Sequence, residues 1–156
     1  MAAHPIHRRS RQRGFTLIEL LVTMTVMIVM LGIGIPAFKN FTATQRVKAV
    51  AVDVATALLL ARSEAVKRNK TVTIAPLTAG DWTSGWTVKD TAMVLDQKNA
   101  LNGLAITGPA TISYQGNGRV TAAASFDLAS TVTGDARRCV KVDLSGVPST
   151  TSGACS

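Results

Sequence analysis

From Leu20 to Phe38 the chain carries no charged residue, and the apolar run reaches back to Phe15 across a single carboxylate, Glu19. A bilayer's hydrocarbon core takes about 20 apolar residues in helical form, and this stretch has that length. The buried helix of a water-soluble domain, by contrast, shows polar residues once a turn. Arg8, Arg9, Arg11 and Arg13 precede the run with no acid among them, and few basic residues follow it. That asymmetry is expected to hold the N-terminus in the cytoplasm and put the rest of the chain outside. The same arginines supply much of the formal net charge of +8, which leaves an ordinary balance for the remaining surface.

A secretory signal peptide also joins a basic start to an apolar stretch, with Ile35-Pro36-Ala37 as a poor cleavage site here. The run is too long for one. Glu19 is also expensive, since an acidic charge costs about 2.5 to 3.5 kcal/mol in mid-bilayer and less near the interface. Either the carboxylate sits at headgroup level or it has a partner. Gly32, Gly34 and Pro36 weaken the helix near the end of the run, because proline removes a donor and glycine favours the coil.

The residues Arg13-Gly14-Phe15-Thr16-Leu17-Ile18-Glu19-Leu20, behind a short basic leader, resemble the processing site of type IV pilins and type II secretion pseudopilins. The match combines the glycine, the phenylalanine, the acid five residues into the product and the apolar run. It implies that prepilin peptidase, a membrane aspartyl protease, removes residues 1–14 by cutting between Gly14 and Phe15, and that Phe15 becomes N-methylated. A glycine at that point lets the protease approach a bare backbone. In a filament Glu19 would meet the terminal amine of a neighbouring Phe15, and paired burial would remove most of its cost. The glycine and proline region would then be a place where the helix kinks or stretches on assembly.

Past Pro36 the pattern becomes one-sided. Val47, Val50, Ala51, Val54, Ala57, Leu58, Ala61 and Ala65 recur at spacings of three and four, which predicts an amphipathic helix ending near Asn69. Glu64 and Arg68 form an i,i+4 pair, and the basic Lys67-Arg68-Asn69-Lys70 suits a helix C-terminus. Running from Phe15 to Arg68, this helix would be roughly 80 Å long at 1.5 Å per residue, so its second half needs something other than lipid to pack on. The strand-like runs 71–75, 86–89, 110–114, 125–128 and 137–144 supply it. Turns at Gly80-Asp81, Asn102-Gly103 and Gly116-Asn117-Gly118 separate them, with proline outside the strands. The expected fold is α+β and pilin-like, with a membrane half at 15–38, an amphipathic half at 39–70 and an antiparallel β-sheet headpiece at 71–156.

The headpiece resembles the minor pilin and pseudopilin branch typified by FimT, FimU and the secretion pseudopilin H. The resemblance is carried by Leu60-Ala61-Arg62-Ser63-Glu64-Ala65, Trp82-Thr83-Ser84-Gly85-Trp86-Thr87-Val88 and Tyr114-Gln115-Gly116-Asn117-Gly118-Arg119. Trp82 and Trp86 are read as core filling. Two cysteines leave room for one late bridge, and delivery to an oxidising periplasm implies Cys139–Cys155. That bond would tie down Ser149 to Ala154, which looks unable to hold itself otherwise. Such a bridge is commoner in type IV pilins than in secretion pseudopilins.

These residues point to a structural subunit. His4 and His7 both lie in the leader, so the mature chain has no imidazole, and no catalytic set, metal set or cofactor motif stands out. Gly116-Asn117-Gly118 lacks the lysine and helix of a phosphate loop. The expected role is a minor pilin of a type IV pilus, anchored in the inner membrane with a periplasmic headpiece and later carried to the cell surface. It would join other minor pilins and the major pilin through the N-terminal helix, to prime or cap the filament. The alternatives are a minor pseudopilin of type II secretion and a DNA-binding pilin. For DNA the FimT-like Gly-Arg motif is missing at Ser145-Gly146-Val147-Pro148-Ser149, which leaves Arg137, Arg138 and Lys141 as weak candidates. Nucleic acid is therefore not favoured.

Overall fold

The computed structural model describes residues 14–133 and 136–156. The basic leader as far as Arg13, with both histidines, lies outside the described residues. Among the described residues one helix, α1 (Leu17–Arg68), is followed by eight strands: β1 (Val72–Thr78), β2 (Asp81–Lys89), β3 (Val94–Lys98), β4 (Leu104–Thr107), β5 (Ile112–Tyr114), β6 (Ala124–Ser130), β7 (Arg137–Val142) and β8 (Pro148–Ser152). The chain divides into one unit ending at Pro36 and a second, Ala37–Ser156.

In the second unit α1 buries Val47, Val50, Ala51, Val54, Ala57, Leu58, Ala61 and Ala65, the stripe that the three-and-four spacing predicts, and extends it one turn back to Ala43. Five of the nine are alanines, which let the helix axis come close to whatever it covers. The helix ends in a Schellman motif: Lys70 N–H donates to Ala65 O, Asn69 N–H donates to Val66 O, and Asn69 takes a left-handed φ of 49°. Arg68 locks the end from outside, donating from Nε to Glu64 at 2.6 Å and from Nη1 to Asp90 at 3.2 Å. The Ala92 and Met93 amides, ahead of the Arg68 charge, hold the Asp90 carboxyl below its ordinary range.

The β part is two four-stranded antiparallel sheets, in the orders β3-β2-β1-β5 and β4-β6-β7-β8, rather than one continuous sheet. Trp82 of the first sheet meets Phe126 of the second edge to face, with centroids 4.7 Å apart, and its indole N–H donates to Pro109 O at 2.8 Å. Gly108 makes that seam feasible, because a Cβ there would lie 2.6 Å from the Phe126 ring. Trp82 and Trp86 are both buried, as core residues.

Three strands escape the sequence reading. Val94–Lys98 and Leu104–Thr107 are short, and Pro148–Ser152 is built of serine and threonine. Proline also enters the strands: Pro76 sits in β1 where the register to β2 shifts, a bulge that tolerates its missing donor, and Pro148 opens β8 at a sheet edge. The run 110–114 shortens to Ile112–Tyr114, and 137–144 stops at Val142.

Tyr114, at the end of β5, ties three segments together. The bridge Tyr114↔Val120 closes the Gly116-Asn117-Gly118 hairpin, whose Gly118 carbonyl accepts from Arg62 Nε at 3.1 Å. The buried Tyr114 hydroxyl donates to Gly146 O at 3.2 Å, and Gly146, at φ 79°, has no room for a Cβ against the Gly118 carbonyl. Burial pushes the phenol from 10 up to about 12. A raised phenol pKa stabilises the fold below about pH 10, and that contribution is lost as pH climbs through about 12. Melting the full chain in detergent should show the native protein more stable than Tyr114→Phe by about 1 kcal/mol near neutrality, with the gap shrinking steadily above pH 10. A gap that stays constant to about pH 12 would refute the assignment.

Candidate functional site

No cluster of three or more metal-binding side chains occurs among the described residues. The surfaces with functional character are instead the N-terminal helix, an apolar stripe on its second half and the C-terminal clasp.

At the start of α1, Gly14 and Phe15 are exposed, and Glu19 N–H donates to Thr16 Oγ1 at 3.3 Å. Thr16 thus caps the first turn through its hydroxyl, and Glu19 takes part through its backbone N–H. Leu17–Pro36 leave their side chains uncovered, and an 18-residue window of the helix has a mean hydropathy of 2.3, long and apolar enough to cross a membrane. Gly32, Gly34 and Pro36 lie inside the helix, and Thr23 and Thr25 return their hydroxyls to the carbonyls three residues back. That bonding satisfies the only hydroxyls between Glu19 and Phe38 without water.

Farther along, large apolar side chains remain in solvent on the face away from the core. Val52 is 60% exposed, Leu59 47% and Val66 52%, and the three are spaced seven residues apart. Thr56 and Ser63 fall between them, so the series steps by four and three like the seam of a coiled coil. A groove of about 790 Å³ runs beside it, lined by Leu59, Leu60, Arg62, Ser63 and Val66 among others. The heptad spacing is visible in the sequence once the buried stripe has been assigned to the other face.

At the other end of the chain, Cys139 on β7 is bonded to Cys155, with Cα atoms 5.0 Å apart. Ser149 to Ser152 do not depend on this bond alone, since β8 pairs with β7 from Val142↔Pro148 to Arg138↔Ser152. The bond instead pins the residues beyond β8. Of the basic candidates on β7, Arg137 is exposed and Arg138 half-buried, while Lys141 Nζ donates to Ser156 O at 2.7 Å. Arg137 and Lys141 share the Cys139 face, and Arg138 falls on the face of Val140 and Val142.

Opening the bond in Cys139→Ser/Cys155→Ser should cost about 3 kcal/mol, the chain-entropy value for a loop of this size. Because the β7–β8 ladder remains, a calorimetric scan should show a lowered but still cooperative transition. Loss of all cooperative unfolding would mean that the bond, and not the ladder, holds β8.

The sequence model of the family described as type II transport protein GspH matches residues 50–146, well over half of the chain. The model of the prokaryotic N-terminal methylation motif matches residues 9–35. Among solved structures the chain is similar to the type IV minor pilin FimU of Pseudomonas aeruginosa, at 20% identity and a TM-score of 0.63, covering 71% of this chain and 92% of that one. It is also similar to the minor pseudopilin EpsH of the type 2 secretion system of Vibrio cholerae, at 17% identity and a TM-score of 0.54, covering 69% and 97% respectively. At those identities the likeness concerns the fold. No curated protein sequence matches the chain.

Proposed function

The chain belongs to the GspH family of type II transport proteins, and on that premise we propose that it is a minor pilin of a type IV pilus, a structural subunit with no catalytic task. The observation that carries this reading is an N-terminal methylation motif joined to a helix whose membrane-length half has no protein cover. A side-chain layer left bare in that way needs lipid first and other subunits afterwards. The Val52, Leu59 and Val66 stripe supports a packing role for the second half of the helix as well.

In this reading the inner membrane holds residues 15–38 with the headpiece in the periplasm, prepilin peptidase cuts after Gly14, and Phe15 is methylated. Other minor pilins and the major pilin then meet the helix, and the finished filament carries the headpiece to the cell surface. The Cys139–Cys155 clasp favours a pilus over a secretion pseudopilus, and the family's description favours the secretion system as a second reading. Recovery of the chain in sheared pilus fractions, against its recovery only with secretion components, separates the two. DNA binding is not part of the proposal, because Arg137, Arg138 and Lys141 split between two faces and Lys141 is engaged by Ser156.

Processing gives one test. Replacing Gly14 with leucine should leave the leader in place, and intact mass should then read the full precursor, while the native product begins at Phe15. A native product beginning elsewhere overturns the assignment. Glu19 gives another. Glu19→Gln keeps the length and hydrogen-bonding capacity but removes the charge. It should insert and be cut normally, yet enter filaments roughly tenfold less, the scale of one lost charge-assisted contact. Normal incorporation of Glu19→Gln would overturn the pairing of its charge with a neighbouring terminal amine.

A further inference from the structure

Immediately after the apolar run, Thr42, Ala43 and Arg46 stand three, four and seven residues beyond Lys39, so the four share a face of α1. With Gly103, Ser130 and Val132 they line a cleft of about 190 Å³. We propose that this cleft receives the phosphate of an anionic phospholipid from the leaflet next to the headpiece, with Lys39 and Arg46 as its two cationic ligands. The proposal rests on the membrane reading of residues 15–38 given above, and adds to it a lipid-specific contact.

Charge makes the first part of the case. No acidic residue occurs between Glu19 and Asp53, while Lys39, Arg46 and Lys48 all fall in that interval, so the helix leaves the apolar run into a purely cationic segment. Asp53 is already taken by Lys98 at 2.8 Å. Among the described residues Lys39 has no carboxylate partner, and Arg46 makes a single bond, from Nη1 to Asn102 O at 3.3 Å. That carbonyl fixes one edge of the guanidinium and leaves the other donors of its fork for a second acceptor. Gly103 keeps the approach open, since a Cβ at that position would stand 3.1 Å from the same Nη1.

Position makes the second part. Lys39 is the residue after Phe38, and Arg46 follows about 10 Å farther along the helix at 1.5 Å per residue. Lys39 thus falls in the polar layer of roughly 5 to 7 Å that borders the hydrocarbon, and Arg46, just beyond that layer, has a side chain that leans back toward the helix N-terminus and lines the same cleft. Phe38 and Phe41, both exposed, add apolar surface at the end of the run that the acyl boundary of a membrane can cover. Ala43 and Val132 give the cleft an apolar wall, as a phosphodiester joined to an acyl chain requires and a free inorganic anion does not. A membrane supplies such phosphates at high density at this depth, and an acidic protein would have to displace them.

The test uses the full chain released in mild detergent and examined by native mass spectrometry with phosphatidylglycerol or phosphatidylcholine of identical acyl chains. Two basic residues near an anionic surface should give roughly tenfold higher occupancy by phosphatidylglycerol. K39Q/R46Q should bring the two lipids to parity. Should that variant melt early, Thr42→Trp fills the cleft from an exposed helix position while keeping both charges, and it should lower the preference as well. Equal occupancy in the native chain, or a preference that survives in both variants, overturns the proposal. Loss of the preference on adding millimolar inorganic phosphate reassigns the cleft to a free anion and also overturns it. Carbonate extraction keeps the two readings apart: a chain washed from the membrane defeats the membrane reading itself, whereas a retained chain without lipid preference defeats only the cleft.

Discussion

Burial of the alanine- and valine-rich face of α1 is the interaction on which the headpiece depends. Both sheets carry one apolar layer, and their core residues form a single cluster with Val47, Val50, Ala51, Val54, Ala57, Leu58, Ala61 and Ala65. A four-stranded sheet with its apolar face in water would gain little over the unfolded chain, because each large side chain left exposed forgoes about 1.5 to 3 kcal/mol. The helix therefore serves as the third layer of the core, and the alanines at Ala51, Ala57, Ala61 and Ala65 set how near that layer can come. The Trp82–Phe126 contact then joins the sheets to each other, and Gly108 permits it.

The same helix obeys two different rules along its length. Up to Pro36 every side chain described is solvent-facing, and the apolar ones need a medium other than water. Beyond it, a polar face with Arg46, Lys48 and Lys67 alternates with the buried stripe. The Val52, Leu59 and Val66 series is the exception, a line of apolar residues carried through the polar face. A helix that binds protein on one side and keeps such a seam on the other is suited to pack between neighbours.

What could be read in the sequence follows from how local each signal is. The buried stripe of α1, its stop at Asn69 and the Gly116-Asn117-Gly118 hairpin rest on periodicity and turn chemistry, and the structure has them where the residues put them. Strands rich in valine, isoleucine and tryptophan were legible for the same reason. Val94–Lys98, Leu104–Thr107 and Pro148–Ser152 were not, since their extended state depends on a partner strand, and Ser-Thr-Thr-Ser by itself reads as loop. Neither was the division into two sheets, which is decided by contacts distant in sequence. The N-terminal methylation motif within residues 9–35 was plain, but the Lys39 and Arg46 face was not, because its significance lies in the missing acids around it. Glu19 was read for its charge, and its hydrogen-bond geometry with Thr16 appeared only in three dimensions.

The placement of the two tryptophans has a spectroscopic consequence. Trp82 and Trp86 are the chain's only indoles, and both sit in the dry interior, one of them against Phe126 at the junction of the sheets. Helix α1, from Leu17 to Arg68, has none. Emission and near-ultraviolet dichroism from this protein therefore report the state of that junction, with the anchor contributing no indole signal. Helix-sensitive far-ultraviolet dichroism follows α1 along its whole length, including its apolar half. Recorded together on one intact sample, a change in the indole bands marks the head, and a loss of helix without one marks the part of α1 outside that core, with no label introduced into either.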